Sequence, residues 1–431
     1  MKQKRNNLQW SRLDNAARIY PALASQKATR VFRLYCQLTE PVDPAALQRA
    51  ADRAVEAFPE FAHTIRSGFF WNYREDAGLR PMVHEENQTP CQPLYSANVH
   101  ELLLDIAYYR RRINFEIFHA IADGLGASVF FRALVLYYLE EVHPDLAGCG
   151  RQEPPRGEKP REDDAFRRYT GQYRGEGTTS LLGNRTGKVY RFQGQRMPDR
   201  RQLVTEITVS AARIRSAAKE YHATVTAFLS ALLLLSIRET MPPKRRDRII
   251  SLAVPVDLRG HFASDTLRNF FSLVEVRYDP RQGSGELRQV VEEVRQVLER
   301  ELTREKLGSK ITHQVAIGNS ATIRSVPLPL KQPVIQLTKW MAERNSTMVF
   351  SNVGRMDFPT EARPWVEQCG AYLSSTTRQL VLCSYGDRMV LSFAGSLVEK
   401  DVERALLRRL NQYDPEVTVA ANYGREVWNI P

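Results

Sequence analysis

Paired cysteine is what this 431-residue sequence most plainly lacks: Cys36, Cys91, Cys149, Cys369 and Cys383 stand apart, with no Cys-x-x-Cys among them. An odd number at irregular spacing excludes a disulfide framework and a cysteine-held zinc cluster as organising elements. Long apolar runs are missing too. The longest, Val225 to Ile237, is interrupted by Thr226 and Ser230, too short to span a bilayer, and reads as a buried helix with no transmembrane segment implied. Met1-Lys2-Gln3-Lys4-Arg5 is basic but no apolar stretch follows it, so no signal peptide is expected. Together these absences predict a soluble protein of a reducing, cytoplasmic compartment. No repeat of fixed short period is visible, which excludes a solenoid.

Charge is present in excess of one sign. Lys and Arg number 61 against 49 Asp and Glu, a formal net charge of +12, which suits nucleic acid, a membrane surface, or an anionic small molecule or carrier. The basic residues mostly alternate with acids, however. The densest runs, Arg110-Arg111-Arg112 and Lys244-Arg245-Arg246, lack the interleaved aromatics of a base-stacking platform. No nucleic-acid partner is therefore expected; a phosphate-bearing small molecule fits better.

With 43% apolar and 26% charged residues the chain is globular, and its length calls for two domains. Val31 to Leu38 alternates, with Phe32, Leu34, Cys36 and Leu38 on one face and Arg33, Tyr35 and Gln37 on the other, the pattern of a half-buried strand. Asp43-Pro44 reads as a cap with proline in the first turn of a helix. Further strands are expected at 61–66, 69–74 and 102–108. Ile113, Phe115 and Ile117 form one more, which delivers the chain to Phe118 and His119, and a helix begins after Gly124. From about Ala147 to Lys188, Gly, Pro, Arg and Glu dominate, and Pro154-Pro155 and Pro160 block regular structure. The second half offers strands at 202–209, 249–256 and 347–353, and a hairpin of 379–384 with 389–394 turned by Gly386-Asp387. Between them lie the buried helix capped by Thr224 and a long amphipathic helix from Glu286 to about Lys306; a last helix covers 400–413. The expectation is mixed α/β (α+β) twice: a domain at 1–150, a polar crossover at 151–188, and a domain at 189–431.

The segment His119-Ala120-Ile121-Ala122-Asp123-Gly124 is the candidate site. A histidine between a strand and a helix is held by the sheet yet open to a cleft, and it titrates where a general base works best. Gly124 permits a sharp turn, and its N–H at a helix N-terminus is a donor for an oxyanion. Residue types alone leave three readings open: a catalytic base, a structural histidine, and a metal ligand with Asp123. For the last, no neighbouring His or Cys supplies further ligands, so no metal is expected.

His119-x-x-x-Asp123-Gly124, between an apolar strand and an aromatic-rich helix, resembles the His-His-x-x-x-Asp-Gly motif of the chloramphenicol acetyltransferase-like superfamily. That group includes condensation domains and alcohol acetyltransferases. Leu13-Asp14-Asn15-Ala16, Pro255-Val256-Asp257-Leu258-Arg259, Thr266-Leu267-Arg268-Asn269-Phe270-Phe271 and Ser351-Asn352-Val353-Gly354 resemble further segments of the same superfamily, in the same order. The resemblance implies two acyltransferase-like domains, each a mixed sheet with covering helices, and an active-site tunnel between them. It implies that His119 takes a proton from an acceptor hydroxyl or amine attacking the thioester of acyl-CoA or of an acyl-carrier protein, with no bound cofactor. Asp123 would pair with an arginine, Arg259 or else Arg268, and hold the loop. Gly124 would keep the tunnel open, and Ser351 and Asn352 would position the acceptor or the oxyanion. Phe118 stands where the first histidine of the motif belongs, which keeps a non-catalytic acyl-binding reading open beside the enzyme and condensation readings.

Overall fold

The computed structural model describes residues 10–97, 99–150, 163–173, 187–197, 201–283, 285–319 and 325–423. The first half supplies β1 (Trp10–Arg12), β2 (Val31–Leu38), β3 (His63–Ser67), β4 (Asn72–Asp76), β5 (His84–Glu85), β6 (Leu104–Tyr109) and β7 (Arg112–Phe118). The second supplies β8 (Leu203–Ser210), β9 (Ile250–Asp257), β10 (Phe271–Tyr278), β11 (Met348–Arg355), β12 (Val366–Leu373), β13 (Gln379–Tyr385), β14 (Arg388–Gly395) and β15 (Thr418–Ala421). Helices are α1 (Tyr20–Leu23), α2 (Pro44–Ala57), α3 (Gly124–Val142), α4 (Ala165–Tyr169), α5 (Ala211–Glu220), α6 (Val225–Thr240), α7 (Leu287–Glu301), α8 (Arg304–Asn319), α9 (Leu328–Arg344) and α10 (Asp401–Leu410).

Two large mixed sheets organise the chain. The first runs β12-β2-β7-β6-β5 and the second β10-β9-β11-β13-β14-β8-β15, while β1-β4-β3 form a small third sheet. Helices α2 and α3 cover one face of the first sheet, where Leu34, Cys36, Phe115, Phe130, Phe131 and Leu134 make a core. Asp43 starts α2 by accepting from the N–H groups of Ala45 and Ala46 at 2.8 and 3.0 Å, with Pro44 in the first turn. Helices α6, α7 and α10 cover the second sheet in the same way. Thr224 caps α6, and the helix is buried nearly throughout; among the described residues no single helix is long and apolar enough to cross a membrane.

Four departures from the expected elements bear on how the halves pack. β2 is buried on both faces, not one, because its polar side meets the second sheet. There Arg33 pairs with Glu116 at 2.6 Å and with Glu86, and Tyr35 accepts from Gln368 at 3.1 Å, so the alternation marks a buried polar layer. The long helix expected to reach Lys306 breaks at Leu302 and restarts as α8. β12, assigned by position to the domain at 189–431, pairs antiparallel with β2 and belongs to the first sheet. Most of the crossover 151–188 lies outside the described residues, but α4 within it is no polar linker: Phe166 and Tyr169 pack on Phe262, Phe270, Leu307 and Ile311.

Candidate active site

His119 is the first residue beyond β7. The register of β7 with β2 ends at Phe118 opposite Val31, and the His119 N–H donates to the Arg30 carbonyl at 2.9 Å. Phe118 turns into the core, stacked on Tyr95 at 5.0 Å, so alternation sends His119 the other way. The half-buried imidazole sits among three rings. Tyr20 stacks on it at 4.6 Å, Phe32 meets it edge-on at 5.1 Å, and Phe271 closes a third side at 5.9 Å.

The hydrogen bonds of Asn269 fix the tautomer. The His119 carbonyl can only accept, so the Asn269 atom 3.0 Å from it is the amide NH2. That orientation puts Asn269 Oδ1, an acceptor, 3.1 Å from His119 Nδ1, which must therefore carry the hydrogen. Nε2 is left with its lone pair and, among the described residues, no hydrogen-bond partner. Burial lowers the pKa of His119, opposed in part by a hydrogen bond with the residue's own backbone, then by the Asp123 charge and the Asn269 bond, so the neutral form is favoured.

Asp123 faces away from this opening and ties the halves together. It caps α3, accepting from Gly126 N at 2.9 Å, and also takes the Phe270 N–H at 2.8 Å. Arg259 donates to both of its oxygens, at 2.9 and 3.2 Å. The same guanidinium reaches Asp257 at 2.6 Å and the carbonyls of Thr266 and Arg268 at 2.9 and 2.6 Å. Arg259 is thus the arginine that meets Asp123. Arg268 instead donates to Ser11 at 2.9 Å. The loop 259–271, held at one end by Asp123, places Asn269 on His119.

Gly124 begins α3 without a left-handed backbone, and a side chain there would lie 3.7 Å from Val353 Cγ2, an ordinary contact. The glycine that close approach demands is Gly126, where a Cβ would fall 2.0 Å from the Leu267 carbonyl oxygen. Ser351 and Asn352 lie on β11, whose Val353 reaches the Gly124 turn. Asn352 donates to Thr226 at 3.0 Å and accepts from Gly354 N at 2.9 Å, so its amide serves the strand end and the start of α6. Ser351, one residue earlier, projects from the opposite face of the strand. Asp14, in the loop leading to Tyr20, is buried and accepts from Ala17 N at 2.7 Å; burial, and then the charge of Asp164, push its carboxyl up to about 6.

The residues that sequence reasoning left without a role are Asn269, Tyr20 and Gly126. Asn269 sat inside a segment already singled out, but nothing in spacing shows which of its side chains reaches back 150 positions to His119. Among the described residues no three His, Cys, Asp or Glu side chains converge as metal ligands would.

Two mixed sheets joined by an exchanged strand, with a histidine at their junction, define the chloramphenicol acetyltransferase-like fold, and comparison with solved structures places the chain in it. Polyketide synthase associated protein 5 from Mycobacterium tuberculosis matches with a TM-score of 0.58 at 16% identity, over 93% of this chain and 97% of that one. Fusarium sporotrichioides TRI101, solved with coenzyme A and T-2, matches at 0.60 and 11% identity, over 94% and 98%. The first condensation domain of the calcium-dependent antibiotic synthetase matches at 0.58 and 15% identity, over 96% and 100%. At these identities the likeness is one of fold, shared by acetyltransferases and condensation domains alike. No family model and no curated protein sequence matches the chain.

Proposed function

We propose that this protein is an acyltransferase that moves an acyl group from acyl-coenzyme A to a hydroxyl or amine, with His119 as general base. The observation that carries the reading is the Asn269 contact, which leaves the Nε2 lone pair of a neutral imidazole unengaged. In the reaction Nε2 takes the acceptor proton as the acceptor oxygen or nitrogen attacks the thioester carbonyl. The new C–O or C–N bond forms, the C–S bond breaks, and the imidazolium returns the proton to the leaving thiolate. Asp123 and Arg259 are positioning residues that hold the loop carrying Asn269. Ser351, on the face of β11 opposite the one that carries Asn352 to Thr226, suits contact with acceptor or oxyanion. None of the five cysteines has a nucleophile's setting; burial pushes Cys369 and Cys383 up, and all five are free thiols, which suits a reducing, cytoplasmic compartment.

The test is thiol release from a panel of acyl-coenzyme A donors with pooled alcohols and amines, comparing wild type with His119→Ala. Acceptor-dependent release should fall by roughly a hundredfold or more in the variant. Release equal in both proteins would sink the assignment of the base. A folded wild type that turns over only carrier-protein thioesters would replace coenzyme A with a carrier as donor, the condensation-type reading that the third comparison favours. Acyl binding without turnover would make it a binder.

A further inference from the structure

Helix α9 carries an apolar stripe that none of the described residues covers. Leu330, Val334, Leu337 and Trp340 recur at spacings of three and four, which aligns them on one side of the helix, and each is more than half exposed. Folding offers no reason to leave four large apolar side chains in water along one helix. Other sides of the helix are engaged: Leu328 and Lys331 are buried, and Gln336 donates to the Ala22 carbonyl at 3.2 Å in α1, whose Tyr20 stacks on His119.

A second group of exposed aromatic side chains lies beside the start of the helix. The turn between β3 and β4 brings Phe69, 71% exposed, and Phe70 against its start, where the Leu328 N–H donates to the Phe69 carbonyl at 2.9 Å and Lys331 to that of Phe70 at 2.9 Å. Trp10, 65% exposed, stands edge-on to Tyr73 in the adjoining strand pair.

Cations surround this apolar surface. Arg344 lies 4.3 Å over the Trp340 ring, Lys331 lies 3.7 Å over Trp71, and Arg18 lies 5.2 Å over Trp71. Arg12, Arg18 and Arg167 line a cavity of about 1030 Å3 whose walls include Trp10, Phe70 and Trp71. Of the acids nearby, Glu75 pairs with Arg66 at 2.6 Å, Glu343 with Arg30 at 3.1 Å and Asp164 with Arg167 at 3.2 Å, while the charges of Asp164 and Asp14 act on Arg18 from beyond ion-pair distance. Among the described residues neither Arg12 nor Arg18 has a carboxylate within ion-pair distance.

We infer that this face is an interfacial membrane-binding surface, with the α9 stripe and the Phe69–Phe70 turn seated among the acyl chains and Arg12, Arg18 and Arg344 on the phosphates of an anionic bilayer. Exposed aliphatic and aromatic side chains bordered by Lys and Arg are the composition that partitions to a lipid–water boundary, and the net charge of +12 adds attraction to an anionic leaflet. A second copy of the chain fits less well, because two such faces would bring like charges together. The inference does not depend on the acyltransferase reading. Taken with that reading, it gives the substrate class as lipid-like, since α9 packs on the helix that carries Tyr20 to His119.

The experiment is sedimentation of the purified full chain with phosphatidylcholine vesicles and with mixed phosphatidylcholine–phosphatidylglycerol vesicles, with tryptophan emission recorded in parallel. The chain should sediment with the mixed vesicles, show a blue-shifted emission, and be released by high salt. Val334→Glu with Leu337→Glu should lower the partition coefficient by about tenfold or more, with circular dichroism and melting temperature unchanged. Arg12→Gln with Arg18→Gln should weaken binding to mixed vesicles alone. Absence of the folded protein from both vesicle pellets, or equal sedimentation of the Val334→Glu/Leu337→Glu variant, would overturn the inference. So would a lipid-free dimer dispersed by the same pair of substitutions, which would make the face a contact between copies. Vesicle binding retained in an inactive His119→Ala protein would separate this result from failure of the catalytic reading.

Discussion

Truncating Asp123 tests the joint between the two halves. Its carboxylate receives four hydrogen bonds, two from Arg259 and one each from Gly126 N and Phe270 N, and both charged side chains are nearly buried, at 10% and 7% exposure. Removing one partner of a buried pair costs about 3–5 kcal/mol, because the survivor keeps its desolvation penalty without its counter-charge. Loss of an N-cap alone costs about 1 kcal/mol. Arg259 would retain Asp257 and two carbonyls, so Asp123→Ala belongs at the lower end, about 3 kcal/mol. Arg259→Ala leaves the carboxylate with two backbone donors and should cost about 2 kcal/mol. The double variant has no orphaned charge, so its loss should fall short of the sum by about 2 kcal/mol. Denaturant unfolding followed by tryptophan emission and by far-ultraviolet circular dichroism measures this, with coincidence of the two transitions as the condition for comparing midpoints. A single-variant loss no greater than that of a cap, or strict additivity, would refute the argument that this pair clamps the loop.

Burial holds the His119 pKa below its ordinary value near 6.5, so kcat/KM should fall on the acid side with a midpoint below that value. The same shift makes the unfolded chain bind the proton first; this histidine's stabilising contribution is complete above about 6.5 and is lost as pH falls towards the lowered value. Asn269→Asp, which sets a carboxylate beside Nδ1, should move the acid limb of kcat/KM upward; an unmoved limb would count against the Asn269 contact. Gly126→Ala should destabilise by about 1–3 kcal/mol, because the Leu267 carbonyl must retreat, whereas Gly124→Ala should leave the melting temperature nearly unchanged. Equal melting temperatures for the two alanine variants would show that loop 259–271 does not press on α3.

How far the sequence foretold these features depended on the range of the interaction. The bounds of β2, the Asp43 cap of α2 and the Thr224 cap of α6 were legible because period-two alternation and cap chemistry act over a few neighbouring residues. Arg259 could be nominated beside Asp123 only through resemblance to other chains, since 136 positions separate them. β12 was missed: Val366 to Leu373 carries Glu, Gln and Gly among its apolar residues, and its place beside β2 follows from long-range packing. The break between α7 and α8 was missed because Leu302 extends the apolar stripe across it. The burial of Arg33 and Tyr35 could not be read at all, since polar residues opposite a core face look alike whether they meet water or a second sheet.

The exchanged strand also sets a timetable for biosynthesis. β2 and β7 are complete once residue 118 has been made, yet β2 lacks its other neighbour until residue 373 emerges. At ordinary translation rates that interval is on the order of tens of seconds. Throughout it the first sheet offers the free main-chain edge of β2 to whatever is nearby. A nascent chain stalled in this interval is therefore the form most exposed to strand pairing with its neighbours, and severing the gene between the halves would make that exposure permanent.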